Sequence, residues 1–233
     1  MSEIERIRAA YARRAAAGLD ERYSLTDPAN RYLFQRREEA LLSLLGRQGV
    51  ASLAGLRILD IGCGSGEVLD GFVRYGADPS LLAGVDLLEE RIERARGRNP
   101  AVSFAVGNAA ALPYRDSAFD VALQFTLMSS VFDGETRRRI AAETLRVLRP
   151  GGLLIWYDFI WNPTNRDVRG IRLGEVRRLY PGCRLDVRRV TLAPPLLRPL
   201  VCVSAALCRA VEAAPFLRSH YLIGVRKEAP PAS

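Results

Sequence analysis

Two acidic residues and a run of glycines carry the chemistry that this chain shows most plainly. Leu59-Asp60-Ile61-Gly62-Cys63-Gly64-Ser65-Gly66 follows a short apolar run, residues 56–61, and precedes a helix-like stretch, residues 67–75. The order is strand, glycine turn, helix. Glycines let a backbone turn tightly and leave room for a ligand against the main chain. A second apolar run, Leu82-Ala83-Gly84-Val85-Asp86, ends in an acid about 20 residues later, where doubly wound nucleotide folds bind ribose hydroxyls. A carboxylate suits a diol because it accepts two hydrogen bonds at once. The same aspartate could cap the helix expected over residues 87–97.

The spacing separates this turn from a dinucleotide site. A dinucleotide fingerprint reads G-x-G-x-x-G and cradles an anionic pyrophosphate. Here it reads G-x-G-x-G, with Glu67 following and Asp60 two residues before the first glycine. A carboxylate at that place repels a pyrophosphate and favours a cation. S-adenosylmethionine is such a ligand, with a sulfonium and an ammonium beside its adenosine.

Further blocks follow in order. Residues 102–113 (VSFAVGNAAALP) read as strand then loop, and residues 117–124 (SAFDVALQ) as loop then strand. Residues 146–155 (RVLRPGGLLI) end a helix, turn, and enter another strand. With LDIGCGSG, GVD, GNAAALP with SAFDVA, and LRVLRPGGLLI in this order, the chain resembles the class I S-adenosylmethionine-dependent methyltransferases of the small methyltransferase-domain type. The family-like core covers roughly residues 40–160. The resemblance implies a Rossmann-like, doubly wound α/β sheet of seven strands, mainly parallel, with the last strand antiparallel and inserted between the fifth and sixth. It implies S-adenosylmethionine as cofactor and no metal. It places the cofactor on Asp60, Gly62, Cys63, Gly64, Gly66, Asp86, Leu87, Asn108, Ala109 and Gln124, with Tyr11 on a lid. Asn108 departs from the family, which usually has Asp there. Both can accept a hydrogen bond from the adenine amino group, and Asn also offers donors.

Elements that position these residues can be sketched from pattern alone. Helices are expected over residues 3–17 and 30–46, forming an N-terminal helical lid over 1–48. The methyltransferase domain then spans 49–228, and the tail 229–233 is expected to be disordered. After the alternating core come a loop at 161–170, a helix at 173–180, a strand at 184–192, an apolar helix near 200–213 and a last strand at 221–227. Alternating strands and helices imply a mainly parallel sheet covered on both faces.

Ligands in open α/β sheets bind at the carboxyl ends of the parallel strands. Gln124, Phe125, Met128, Tyr157, Asp158 and Asn162 follow the fourth and fifth strands, so acceptor contacts are expected from Phe125, Met128, Tyr157 and Asn162, joined by Tyr23 from the lid. The sole histidine, His220, opens the last strand on the same edge. Its unperturbed pKa suits a general base, with Asp158 as an alternative base or as the residue that orients base or acceptor. On that assignment His220→Ala or Gln lowers turnover and spares cofactor affinity. Lid candidates are Tyr11, Arg14, Tyr23, Tyr32 and Arg36, since arginine can pair with the cofactor carboxylate.

Composition narrows the partners. The chain has 233 residues, enough for one α/β domain, and its 48% hydrophobic content is ordinary for a globular fold. Four cysteines show no C-x-x-C spacing, which argues against zinc or redox chemistry and makes the cytoplasm the default compartment. Residues 1–22 carry charges throughout and lack a secretory pattern. The net charge of +8 is spread along the chain, densest at Arg137-Arg138-Arg139, which reads as a solvated helix face. No nucleic-acid motif accompanies it, and residues 124–127 (QFTL) lack the [D/N]-P-P-[Y/F] motif of base amino-methylating enzymes. A nucleic-acid acceptor and a non-catalytic cofactor-binding module therefore remain as alternatives to methyl transfer onto a small molecule or glycan, most readily at oxygen. Residues 192–217 are strongly apolar but broken by prolines and charges, unlike a membrane span. They could cover the sheet edge, line a substrate wall, form a dimer surface or lie on a membrane; a lipid-linked acceptor fits both this patch and the positive charge. The oligomeric state is left open.

Overall fold

The computed structural model describes residues 2–18, 24–162 and 165–228. Tyr23 and the tail 229–233 lie outside the described residues. Seven strands form one sheet in the order β3-β2-β1-β4-β5-β7-β6. They are β1 (Ile58–Ile61), β2 (Leu82–Asp86), β3 (Ser103–Val106), β4 (Phe119–Phe125), β5 (Leu148–Phe159), β6 (Arg184–Leu192) and β7 (Arg218–Arg226). The pairs β2–β3, β1–β2, β1–β4 and β4–β5 are parallel. β7 runs antiparallel to both neighbours, β5 and β6, and sits between them. β1 and β2 are buried along their whole length, as a parallel strand covered on both faces must be.

Helices cover the two faces. α2 (Pro28–Arg47), α3 (Glu67–Arg74) and α4 (Glu89–Arg98) lie on one. Leu41, Leu44 and Leu45 of α2, Leu69 and Phe72 of α3, and Ile92 and Ala95 of α4 pack there against Ile58, Leu123, Ile155 and Leu222. On the other face α5 (Gly134–Val147) and α6 (Leu173–Leu179) bring Ile140, Ala141, Val176 and Leu179 against Leu59, Ile61, Leu154, Trp156 and Ile223. α1 (Glu3–Ala16) opens with a capping box, Ser2 with Glu5. Asp27 caps α2 ahead of Pro28, whose missing N–H costs nothing at a helix start.

Three expectations are corrected. Residues 1–48 are not a single lid: α2 buries its leucines in the main core, and only α1 stands over the sheet's edge. The apolar helix expected near 200–213 is two short helices, α7 (Pro194–Val201) and α8 (Ala205–Glu212). Ser204 starts the second by accepting from the N–H groups of Ala206 at 3.2 Å and Leu207 at 3.4 Å. Arg137 is not on a solvated face with Arg138 and Arg139: it is 1% exposed, donates to the Val131 carbonyl and pairs with Glu175.

Residues 192–217 close the β6 edge. Leu197 of α7 and Cys208 of α8 pack with Leu192 and with Ala29 and Tyr32 of α2. Buried Glu212 fastens the corner by accepting from Tyr32 Oη at 2.9 Å and Arg36 Nε at 2.8 Å. Glu212→Ala leaves both donors unmatched and is expected to cost about 2 kcal/mol, since Arg36 keeps some solvent. Urea unfolding checks this, and an unchanged midpoint would show that the corner is held by apolar packing alone. Among the described residues no helix is long and apolar enough to cross a membrane.

Candidate active site

The glycine turn is built by its neighbours. Gly62 N–H and Cys63 N–H both donate to the Val85 carbonyl, at 2.7 and 3.0 Å, tying the end of β1 to β2. Gly62 sits at φ +78, and a Cβ there would lie 2.8 Å from the Leu127 side chain. Asp86 then crosses the gap: Oδ2 accepts from Gly64 N–H at 2.9 Å and Oδ1 from Leu88 N–H at 3.0 Å. The acid at the end of β2 thus shapes the turn and faces it. Leu87 and Leu88, with Arg8 and Ala12 of α1, Glu93 of α4 and Val106 of β3, line an open cavity of about 550 Å³ beside it. Just after β3, Gly107 N–H donates to the Asp86 carbonyl at 2.9 Å, and Asn108 Oδ1 accepts from Ala110 N–H at 2.9 Å. Ala109 packs partly into the core.

Asp60 is the unusual group. Its side chain is 1% exposed and neither carboxylate oxygen has a hydrogen-bond partner. Burial first, then Asp86 and Glu67, push its pKa up to about 8, with Arg37 pulling the other way. An ionised carboxylate buried without a partner is costly, so the group favours its neutral form unless a positive charge lies beside it. The Cys63 thiol is also pushed up, by burial and by Asp60 and Asp86. It is therefore a packing residue rather than a nucleophile.

α1 closes over this edge. Glu3 accepts from Phe132 N–H, Arg6 donates to the Ser130 carbonyl and stacks 3.9 Å over the Phe132 ring, and Tyr11 Oη lies 3.4 Å from Ser130 Oγ. Arg91 of α4 lies under the Tyr11 ring at 4.9 Å and reaches within 4.0 Å of Asp86. Tyr11 therefore meets Asp86 through Arg91. Arg14 stacks on Tyr11 at 5.2 Å. Tyr32 and Arg36 are turned away to Glu212.

The residues expected around an acceptor divide by strand pleat. Phe125, Tyr157, Phe159 and His220 share the α2 face and form a ladder of rings. Phe125 and Tyr157 are 5.6 Å apart, Tyr157 and His220 4.8 Å at 6°, and Phe159 and His220 4.3 Å. Beyond Phe159 a small cavity of about 40 Å³ is lined by Trp161, Asn162, Pro194 and Ser219. Asp158 falls on the opposite face, as its partner Tyr221 does. It accepts from Ser129 N–H at 2.9 Å and Phe159 N–H at 2.8 Å, so it holds the loop after β4. Burial raises it to about 6, against Ser129, Phe159 and Arg137. Gln124 and Met128 also belong to the far face. Gln124 donates to Thr144 Oγ1 at 2.7 Å and accepts from Tyr180 Oη at 2.8 Å, and Met128 is fully buried under α5. Neither points at the ring ladder.

His220 is placed on the expected edge but is a poor base. Burial, helped by Arg37, pushes its pKa down to about 3. Its Nδ1 lies 2.6 Å from Thr191 Oγ1 and 3.0 Å from Ser219 Oγ. Thr191 has φ +59, and β6 skips it in pairing with β7, since Val190 pairs His220 and Leu192 pairs Arg218. A left-handed threonine, unpaired in the ladder at this edge, holds the imidazole as a fixed ring.

Sequence reasoning missed Arg37. It lies one turn before Leu41 and two before Leu44, on the inward stripe of α2, whereas Arg36 shares the Tyr32 stripe. Its guanidinium lies 5.1, 5.7 and 5.9 Å from the rings of Phe34, Phe125 and Tyr157. An arginine in register with buried leucines was the available signal.

Comparison with known proteins agrees with this geometry. Residues 59–156 match the family described as methyltransferase domain. Over these residues the chain is similar to the class I S-adenosylmethionine-dependent methyltransferases. This family uses S-adenosylmethionine. Among relatives, the 27-O-demethylrifamycin SV methyltransferase of Amycolatopsis mediterranei is 36% identical over 136 residues, covering 54% of this chain and 48% of that protein. The phthiotriol/phenolphthiotriol dimycocerosates methyltransferase 1 of Mycobacterium ulcerans is 35% identical over 115 residues, covering 48% of this chain and 40% of that one. The chain spans about half or less of the length of these curated relatives. Among solved structures the [4+2]-cyclase SpnF superposes with a TM-score of 0.60 at 23% identity, covering 82% of each chain, a likeness of fold. Among the described residues no group of three or more His, Cys, Asp or Glu is placed to hold a metal ion.

Proposed function

We propose that this methyltransferase-family protein transfers a methyl group from S-adenosylmethionine to the oxygen of a small-molecule acceptor. The observation that carries this is Asp60, a fully buried carboxylate with both oxygens unmatched, below a glycine turn braced by Asp86. When bound, S-adenosylmethionine supplies an electrophilic methyl on a positively charged sulfur. Asp60 supplies the countercharge, and Asp86 has lone pairs left for the ribose hydroxyls. The loop at Asn108 and Ala109 follows Val106, which lines the 550 Å³ cavity, and in this reading it meets the adenosine. α1, latched through Glu3 and Arg6 to the loop after β4, shields the centre from water. The ring ladder holds the acceptor flat, which supports positioning as the main source of rate.

The O-methyl reading is supported by the name of one relative, a 27-O-demethylrifamycin SV methyltransferase. A small-molecule or lipid-linked acceptor is supported by the named acceptors of the relatives. A glycan acceptor fits the site less directly, since the ladder offers rings and few hydroxyl partners. His220 acts in this reading as a wall. His220→Gln is expected to leave the pH–rate profile unmoved between about pH 6 and 8, because the imidazole is already neutral there. Loss of an inflection in that window would restore the base role.

The reaction class is tested with isotope-labelled methyl donor and a panel of phenols, alcohols, amines and transfer RNA. Label is expected in extractable small molecules from the oxygen acceptors. Label confined to precipitated RNA, or to amines, would overturn the proposal.

A further inference from the structure

The aromatic ladder ends under a cation that the fold has gone to some length to place. Arg37 projects from the inward stripe of α2, its side chain 22% exposed, over the faces of Phe125 and Tyr157. Its Nε is buried and has no hydrogen-bond partner. Among the described residues its one ion pair is with the adjacent Glu38 at 3.4 Å. Ring faces orient a guanidinium but satisfy none of its N–H donors, so beyond the Nη2 donation to Glu38 Oε1 at 3.4 Å the group keeps donors for an oxyanion. Asp60 and Arg37 also feel each other electrostatically, so the centre carries one negative and one positive pole. The negative pole suits the cationic donor. The positive pole suits an anionic acceptor.

We infer that Arg37 holds the oxyanion of an aromatic acceptor, a phenolate, whose ring lies along Phe125, Tyr157, His220 and Phe159. This rests on the methyl-transfer reading and names the acceptor class for it. It also supplies what the site lacks. Asp158 lies on the other face of the sheet, and His220 is held as a buried, weakly basic ring. With no base in position, an acceptor that ionises on binding needs none. Its proton leaves to solvent as it binds Arg37. The oxygen–methyl bond then forms as the methyl–sulfur bond breaks, the bonding pair stays on sulfur, and no proton moves in the step.

The probe is para-nitrophenol, whose phenolate absorbs visibly, with para-nitroanisole as its uncharged likeness. Wild-type protein, with and without S-adenosylhomocysteine, is expected to bind the phenolate saturably and at least about tenfold more tightly than the anisole, and to lower the phenol's apparent pKa by about one unit. Arg37→Gln is expected to abolish both preferences while keeping its circular dichroism and its affinity for S-adenosylhomocysteine; Arg37→Lys keeps part of each. Equal binding of the two probes, no saturable phenolate binding, or an unchanged preference in Arg37→Gln would overturn the inference. So would loss of S-adenosylhomocysteine affinity in Arg37→Gln, which would assign the guanidinium to the cofactor carboxylate. Failure of wild type to bind S-adenosylhomocysteine, with phenolate discrimination intact, would contradict the methyl-transfer reading instead.

Discussion

Asp60→Asn is expected to weaken binding of S-adenosylmethionine at pH 8 by at least about tenfold, and binding of S-adenosylhomocysteine by much less. The two ligands differ by the methyl group and the sulfonium charge, so the difference isolates the countercharge. Burial pushes the Asp60 pKa up to about 8 in the free protein, from an ordinary value of 3.8. A cation beside it draws the pKa down again, so binding expels a proton below pH 8. Affinity for the sulfonium ligand therefore rises with pH toward about 8, by at most about tenfold per unit, and this slope is lost in Asp60→Asn. Stability runs the opposite way. Because the folded pKa lies above the unfolded one, the native state holds the extra proton between about pH 4 and 8, and stability falls as pH rises through that window. Asp60→Asn removes the fall and is expected to be the more stable protein at pH 9, by more than about 1.4 kcal/mol. Titration calorimetry and thermal unfolding at pH 6 and 9 read both effects. Equal loss of both ligands at every pH would show that Asp60 is a scaffold residue.

Asp86→Ala is expected to cost about 100-fold in affinity for S-adenosylhomocysteine, or about 3 kcal/mol. Two losses combine. The ribose hydroxyls lose their acceptor, and the N–H groups of Gly64 and Leu88 lose the carboxylate that fixes the turn. Asp86→Asn separates them. It keeps one acceptor oxygen for the backbone and is expected to fall between wild type and Asp86→Ala. A loss below about threefold in Asp86→Ala would place the ribose elsewhere.

Much of the glycine-turn edge was legible because it is local. A glycine turn between strand and helix constrains its own backbone, and an acid at the end of the next strand has one edge to face. The strand order with β7 inserted followed from family likeness, and β6 was delimited by its residues alone. The acceptor side was harder to read because it depends on parity and rotation. Asp158 and His220 share the sheet's edge, but the pleat sends them to opposite faces, with His220 opposite Phe159 and Asp158 opposite Tyr221. Gln124 and Phe125 are neighbours with the same outcome. Arg36 and Arg37 differ by about 100° of helix rotation, which sends one to Glu212 and the other to the ladder. Which stripe of α2 meets the sheet is fixed by Leu41, Leu44 and Leu45, so the stripe was present in the sequence. What covers residues 192–217 needed tertiary structure, because an interrupted apolar stretch reads alike on a sheet edge, a dimer or a membrane.

The most direct test of the cofactor site is a calorimetric titration of the wild-type protein with S-adenosylhomocysteine. One site per chain with a dissociation constant on the order of micromolar, about −8 kcal/mol, is the expected result. A folded protein that takes up no heat and shows no thermal shift with saturating ligand would contradict it.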